Sequence, residues 1–291
     1  MLRSAQPCSA SWVGGLAVLL AVASPRPTAA ADRELRYDLG LDLTVTLTAA
    51  GAVAVSELGK DRLGPGACRL CSRDGERDTL NVIDREARRA LVFRPSAQET
   101  AHVLSTVLAG ALPAVALGTN IAAARADDSA SKARVGADAL VVSEAVMLSL
   151  AVNQLTKFVV ARERPYAHFR SPEGRIRDGK TDDNLSFYSG HTALAFSSVG
   201  ASATVLAMHG SKLAPLVLGA GLPLAALTGG LRIAADRHYL SDVLVGAAMG
   251  AAIGVFVPYL FHRPGADGGP ASAPSSAPGS APATFSLGGA F

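Results

Sequence analysis

The chain has 291 residues, long enough for one large domain or two small ones. Apolar residues make up 49% and charged residues only 18%, where soluble domains usually carry about 25%. The 27 basic and 24 acidic side chains leave a net charge of +3, and the basic residues are scattered rather than gathered in a block that tracks a phosphate backbone. A disordered chain, a coiled coil and a nucleic-acid module are therefore excluded, and no nucleic-acid partner is expected. The bulk is Ala, Leu, Val and Gly, which suits closely packed membrane helices.

Residues 1–31 read as a signal peptide. Arg3 supplies a thin basic start, Val13–Val22 is an apolar run too short to span a bilayer, and small residues around Ala29–Ala31 offer a cleavage site. An uncleaved signal anchor is the alternative. Residues 32–100 form an N-terminal polar region with one candidate first span, the short, Thr-rich stretch Leu41–Val55. Residues 60–100 hold eight Arg, one Lys and seven acidic residues, with a helix expected over Thr79–Leu91. Cys68 and Cys71 form a lone C-x-x-C. Zinc wants four ligands, and a thioredoxin-like βαβ context is missing, so a short-loop disulfide is the expectation. A reduced inert pair and a thiol-redox role are the alternatives.

Residues 101–262 form a membrane core. The apolar stretches are Ala101–Ile121, with His102 at its edge, then Ala137–Val160, Thr192–Met208, Leu213–Leu231 and Val243–Phe261. Most are long enough to cross a hydrocarbon core of about 30 Å, where backbone groups must pair internally. The fold class expected is all-α, a helical membrane bundle of five to six spans with a site at one membrane face. The tail, 263–291, is a disordered linker by composition, with eleven Pro or Gly between Pro264 and Phe291.

Polar residues at apolar helices mark functional sites by default, and here they form three clusters. In the first, Ser149, Asn153 and Lys157 recur every four residues, so they share a helix face, and Arg164 two turns on returns to it before Pro165 ends the helix. Two cations on one face suit an anion; the alternative is that Lys157, Arg162 and Arg164 snorkel to lipid headgroups. In the second, Ser189 caps a helix whose free N–H groups form an anion site, Gly190 allows close approach, and His191 stands on the first turn. In the third, Arg232 precedes His238, and Asp242 follows His238 by one turn, so the carboxylate can orient the imidazole. Ser241 is a candidate cap for the last span. One helical hairpin, 192–231, separates the second cluster from the third. All three clusters therefore emerge at one membrane face, whichever face that is.

Lys-x6-Arg-Pro, then Ser-Gly-His, then Arg-x5-His-x3-Asp, in that order, resembles the type 2 phosphatidic acid phosphatase superfamily, which includes lipid phosphate phosphatases, bacterial class A acid phosphatases and vanadium haloperoxidases. The resemblance implies a phosphohistidine mechanism. His238 would be the nucleophile, Asp242 its orienter, and His191 the acid that protonates the leaving oxygen and then activates water. Lys157, Arg164, Arg232, Ser189 and Gly190 would hold the phosphate. Three cations neutralise a dianion, so no metal and no cofactor are expected. Two positions depart from the family pattern: Tyr188 stands where Pro is usual, and Leu231 where Ser is usual.

A site fed from the bilayer favours a lipid phosphate or diphosphate as substrate, of the phosphatidic acid, phosphatidylglycerol phosphate, undecaprenyl diphosphate or lipid A phosphate kind. A vanadate-dependent haloperoxidase or a phosphotransferase on the same site is the alternative chemistry, and a non-catalytic binder of anionic lipid is the alternative from another class. Location in a bacterial inner membrane is expected. Sidedness turns on Leu41–Val55. With a cleaved leader, the site is periplasmic if this stretch does not cross and cytoplasmic if it does. Arg-rich loops at the site fit a cytoplasmic face, but several of those Arg are candidate ligands and the family resemblance favours the outer face, so a periplasmic site is expected. The oligomeric state is not specified by these features.

Overall fold

A computed structural model describes residues 34–264 except 75–76, 128–129, 131 and 172–179. The signal peptide or anchor at 1–31, and all but two residues of the tail 263–291, lie outside the described residues. So does the Arg175 and Arg177 part of the loop before Leu185.

Among the described residues, six helices are long and apolar enough to cross a membrane. They are α1 (Leu39–Leu58), α4 (Pro95–Arg125), α5 (Lys132–Val160), α7 (Gly190–Met208), α8 (Ala214–Ala234) and α9 (Leu240–Phe261). Three short helices lie between them: α2 (Lys60–Leu63), α3 (Val82–Leu91) and α6 (Pro165–His168). A single antiparallel ribbon, Arg73–Asp74 against Arg77–Asp78, is the strand content of the described residues. The chain is thus an all-α integral membrane bundle.

The doubtful first stretch becomes a full 20-residue helix. Asp38 caps it by accepting from the Leu41 N–H (2.9 Å), and Asp42 stands in its first turn, so polar residues extend the apolar core of the helix to a spanning length. The helix read over 101–121 starts six residues earlier, because Pro95 occupies the first turn, where its missing N–H goes unused. The short helix read over Thr79–Leu91 begins only at Val82, with Asn81 accepting from the Asp84 N–H (2.9 Å).

Helix α7 is central and touches α4, α5, α8 and α9. Its composition permits this, since Ala193, Ser197, Ala201 and Val205 are all buried and most are small. Gly246, Gly250 and Gly254 form one stripe of α9 that packs against its backbone. A Cβ at Gly250 would lie 2.4 Å from the Ala193 carbonyl oxygen, and one at Gly254 2.5 Å from that of Ser197. Small residues at every fourth position let two helix backbones meet without a hydrophobic driving force between them. Leu39, Leu47, Val107, Val115, Leu155, Leu216, Leu244 and Phe256 remain outside, forming the surface expected against lipid. Helix α1 packs on α5, with the Gln154 amide donating to Glu57, so the two run in the same direction.

Candidate active site

The site lies where α5, α8 and the loop 185–189 end and where α4, α7 and α9 begin. Helix α5 stops at Val160, not at Pro165: Ala161 adopts φ 47°, a left-handed conformation that ends the α-helix. Arg164 therefore does not return to the Lys157 face by helical periodicity. It reaches the site on a turn that Pro165 converts into α6. Lys157, Arg162 and Arg164 are only 9%, 5% and 5% exposed, so they point into the protein. The snorkelling alternative fails for all three.

Arg164 Nη1 lies 3.3 Å from His238 Nε2. A guanidinium only donates, so this nitrogen carries the lone pair and the proton sits on Nδ1. Nδ1 in turn is 3.6 Å from Asp242 Oδ2, across one helical turn, and forms no hydrogen bond at that distance. An imidazole and a carboxylate so placed are close to hydrogen-bonding reach, and contacts of this kind often tighten when a ligand binds. Burial first, then the charges of Arg164, Arg232 and Lys157, hold His238 well below its ordinary pKa, so the ring is neutral.

Ser189 Oγ accepts from the Thr192 N–H (3.4 Å) and hydroxyl (2.8 Å), capping α7 as read from the sequence. The Ser189 N–H donates to the Asp242 carbonyl (3.0 Å), joining the second cluster to the third. Gly190 sits against Asn153 and Lys157, and a Cβ there would stand 2.7 Å from Asn153 Oδ1 and 3.3 Å from Lys157 Nζ. Asn153 Nδ2 donates to the Tyr188 carbonyl (2.7 Å), so the first cluster positions the loop of the second. His191 Nε2 lies 3.3 Å from Thr106 Oγ1, and Arg232 Nη1 donates to His102 Nδ1 (2.7 Å) and Ser105 Oγ (3.3 Å).

Several supporting residues were not singled out in the sequence. Asp242 is held by Arg162 Nη1 (2.6 Å), the Ser186 hydroxyl (2.6 Å) and the Tyr239 N–H (3.0 Å). Arg162 Nη2 donates to Asp84 (2.7 Å), a fully buried carboxylate on α3. Ser241 is not the helix cap; Tyr239 takes that position, and Ser241 gives its N–H and hydroxyl to Asp84 (2.9 and 2.7 Å). Burial opposes ionisation of Asp84, but Ser241 and Arg162 overcome it and hold the carboxyl below its ordinary range. Asp182 accepts from Arg164 through both its backbone and side chain. Against the effect of burial, Arg164, Lys60 and Lys157 hold its carboxyl down to about 2. Nothing in the sequence pattern marked Asp84 or Asp182, since each lies in a polar segment already rich in acids. The alternation of His102, Ser105 and Thr106 on α4 was the available signal for the far wall.

The two departures from the family pattern have distinct structural consequences. Tyr188 is 1% exposed, its hydroxyl lacks a partner, and burial pushes that hydroxyl up to about 12. Leu231 packs on Ala101, Ala234 and Ala235 instead of offering a hydroxyl beside Arg232. Cys68 and Cys71 are joined as a disulfide with a Cα separation of 5.5 Å. Their loop braces the end of α5, where the Arg69 N–H donates to the Ala161 carbonyl (3.0 Å).

The fold is that of a helical membrane protein, with two histidines and three buried cations gathered at one end of its bundle. Residues 138–265 match the PAP2 superfamily, and the likeness read from the three motifs is borne out over that region. A lipid A 1-phosphatase of Porphyromonas gingivalis is 43% identical over 81 residues, which are 28% of this chain and 17% of that protein. A crystal structure of a transmembrane PAP2-type phosphatidylglycerolphosphate phosphatase from Bacillus subtilis aligns with a TM-score of 0.47 and 18% identity, over 75% of this chain and 94% of that one.

Proposed function

We propose that the protein is a lipid phosphate phosphatase acting through a phosphohistidine, without a metal in the reaction. The observation that carries this is the neutral His238, with its Nε2 lone pair turned to Arg164 and its Nδ1 to Asp242. His238 Nε2 attacks phosphorus as the bond to the lipid oxygen breaks, and His191 gives that oxygen a proton. His191 then takes a proton from water as the water oxygen displaces His238 from phosphorus. Lys157, Arg164 and Arg232, with Ser189 and Gly190 at the start of α7, offset the charge that develops on the phosphoryl oxygens. The relative from Porphyromonas gingivalis, together with a site at the end of a lipid-facing bundle, supports a phosphate or diphosphate on a membrane lipid as substrate.

We place the protein in a bacterial inner membrane with the site on the periplasmic face. The Cys68–Cys71 disulfide supports this, because it lies at the same end of the bundle as the site and disulfides persist in oxidising compartments. With α1 crossing, an outer-face site requires Leu39 to start on the cytoplasmic side. The end of α9 is then cytoplasmic. A fluorescent protein fused after Arg263 should fold and fluoresce, and an alkaline phosphatase fused there should be inactive; the reverse pattern places the site in the cytoplasm.

The test of activity is phosphate release in detergent micelles with EDTA present. Phosphatidic acid, phosphatidylglycerol phosphate, undecaprenyl diphosphate and lipid A are offered to the wild type and to His238→Ala. Release by the wild type alone, and a phosphoenzyme that is trapped by an alkaline denaturing quench and is labile in acid, is expected. Lipid binding without release, unchanged in His238→Ala, would instead establish a non-catalytic binder; activity that appears only with vanadate and halide would establish a haloperoxidase.

A further inference from the structure

At the end of the bundle away from this site, Asp42 of α1, Glu144 of α5 and His262 just past α9 converge. One ligand atom from each lies within 4.8 Å of the other two, and all three residues are buried. Helix α9 runs 22 residues, from Leu240 beside His238 to Phe261 beside the cluster, so about 30 Å separates the cluster from His238.

His262 Nδ1 is 2.9 Å from the Arg36 carbonyl oxygen. A carbonyl only accepts, so Nδ1 carries the proton, and in the neutral ring Nε2 carries a lone pair. That lone pair faces Glu144 Oε2 at 3.4 Å, and neither atom has a hydrogen-bond partner. His262 is 2% exposed and Glu144 6%. With the ring neutral, two acceptors face each other in a buried place and need a cation between them, either a metal ion or a proton on Nε2. Asp42 adds a second carboxylate, 3.9 Å from the Nδ1 edge of the ring and already held by the Asp38 N–H (2.9 Å). Among the described residues, no Lys or Arg forms an ion pair with Asp42 or Glu144. Two acids and one imidazole at the edge of a bilayer are thus left with an excess of negative charge.

We infer that Asp42, Glu144 and His262 form a structural site for a divalent transition-metal ion of the Zn2+ or Mn2+ class. Two carboxylate oxygens and one imidazole nitrogen are a donor set these ions take. The Nδ1–H donated to a backbone carbonyl is the outer-shell contact that fixes a ligating histidine's tautomer. The ion ties the start of α1 and the end of α9 to α5, three helices that are distant in sequence. This role is independent of phosphate chemistry, which runs at the other end of the bundle.

The test uses the full chain, free of any histidine tag, purified in detergent and stripped of metal with EDTA. Metal content after exposure to Zn2+ and desalting is measured by mass spectrometry, and thermal unfolding is followed with and without Zn2+. The wild type should retain one Zn2+ more per chain than Glu144→Gln or Asp42→Asn. Its Tm should rise by about 5–10 °C at hundred-fold excess over the dissociation constant, and the variants should lack this rise. His262→Cys covers the case in which those variants fold poorly, since its thiolate should bind Cd2+ and give a sulfur-to-cadmium charge-transfer band in the ultraviolet that Glu144→Gln abolishes. Equal Zn2+ content and equal Tm response in wild type and variants, or no cadmium band in His262→Cys, would overturn the inference and leave a proton on Nε2 as the buried cation.

Discussion

Arg162 is the residue whose removal should do most damage without its touching substrate. Its guanidinium joins Asp84 and Asp242, both fully buried, with contacts of 2.7 and 2.6 Å. Arg162→Met keeps the stem and deletes the charge, leaving two buried carboxylates uncompensated. Breaking a buried pair from one side costs about 3–5 kcal/mol. For a chain of this size that corresponds to a fall in Tm of roughly 10 °C. The second effect is chemical. Asp242 loses one of its three anchors, and its position relative to His238 Nδ1 is already loose at 3.6 Å. We expect kcat to fall at least about 100-fold, as is usual when the orienter of a catalytic histidine is disturbed, with KM changed much less. The assay pairs thermal unfolding in detergent with phosphate release at saturating lipid. Asp84→Asn combined with Arg162→Met should recover part of the Tm, because one stranded charge is gone, but not kcat. A variant Arg162→Met that unfolds within 2 °C of the wild type and turns over normally would refute this account of the triad.

The remaining predictions concern packing, pH and the disulfide. Gly250→Val should lower Tm by more than Gly219→Val, since the new Cβ at 250 would meet the Ala193 carbonyl at 2.4 Å while nothing lies within 4 Å at 219; equal unfolding temperatures would count against backbone contact between α7 and α9. Asp84 is held below its ordinary range in the folded chain, so the unfolded chain binds more protons as acid is added. Its stabilising contribution is therefore complete above about pH 4 and is lost as pH falls below that. Thermal unfolding between pH 6 and pH 3 should show a steeper acid limb in the wild type than in Asp84→Asn. His238 is likewise depressed, so its charging cannot set the acid limb of activity near pH 6.5; a kcat/KM profile with an apparent pKa there that disappears only in His238 variants would contradict the neutral nucleophile. The double variant Cys68→Ser, Cys71→Ser should keep phosphate release within about two-fold while unfolding earlier, because the loop braces α5 and has no part in phosphoryl transfer. Loss of activity on reduction alone would revive a redox role.

The sequence by itself determined the candidate site residues of this protein and their order along the chain. Apolar length marked the spans, since a bilayer imposes its thickness on any helix that crosses it. Span parity put Lys157, His191 and Arg232 at one end before any contact was known. Ser189 was legible as a cap because capping is a local interaction that needs only the residue and the turn after it. Contacts between elements distant in sequence were not legible. Arg162 looked like a surface cation, and only the packing of α3 against α9 brought Asp84 to it and made both part of Asp242's support. The apolar stretch ended at Val160 in the sequence, but the turn that follows it was hidden because a left-handed alanine leaves no compositional mark. Asp42, Glu144 and His262 carry no mark in the sequence that joins them. They meet because α1 and the antiparallel α9 both pack on α5, a relation between positions as many as 220 residues apart, and long-range juxtaposition of that kind is decided by tertiary packing alone.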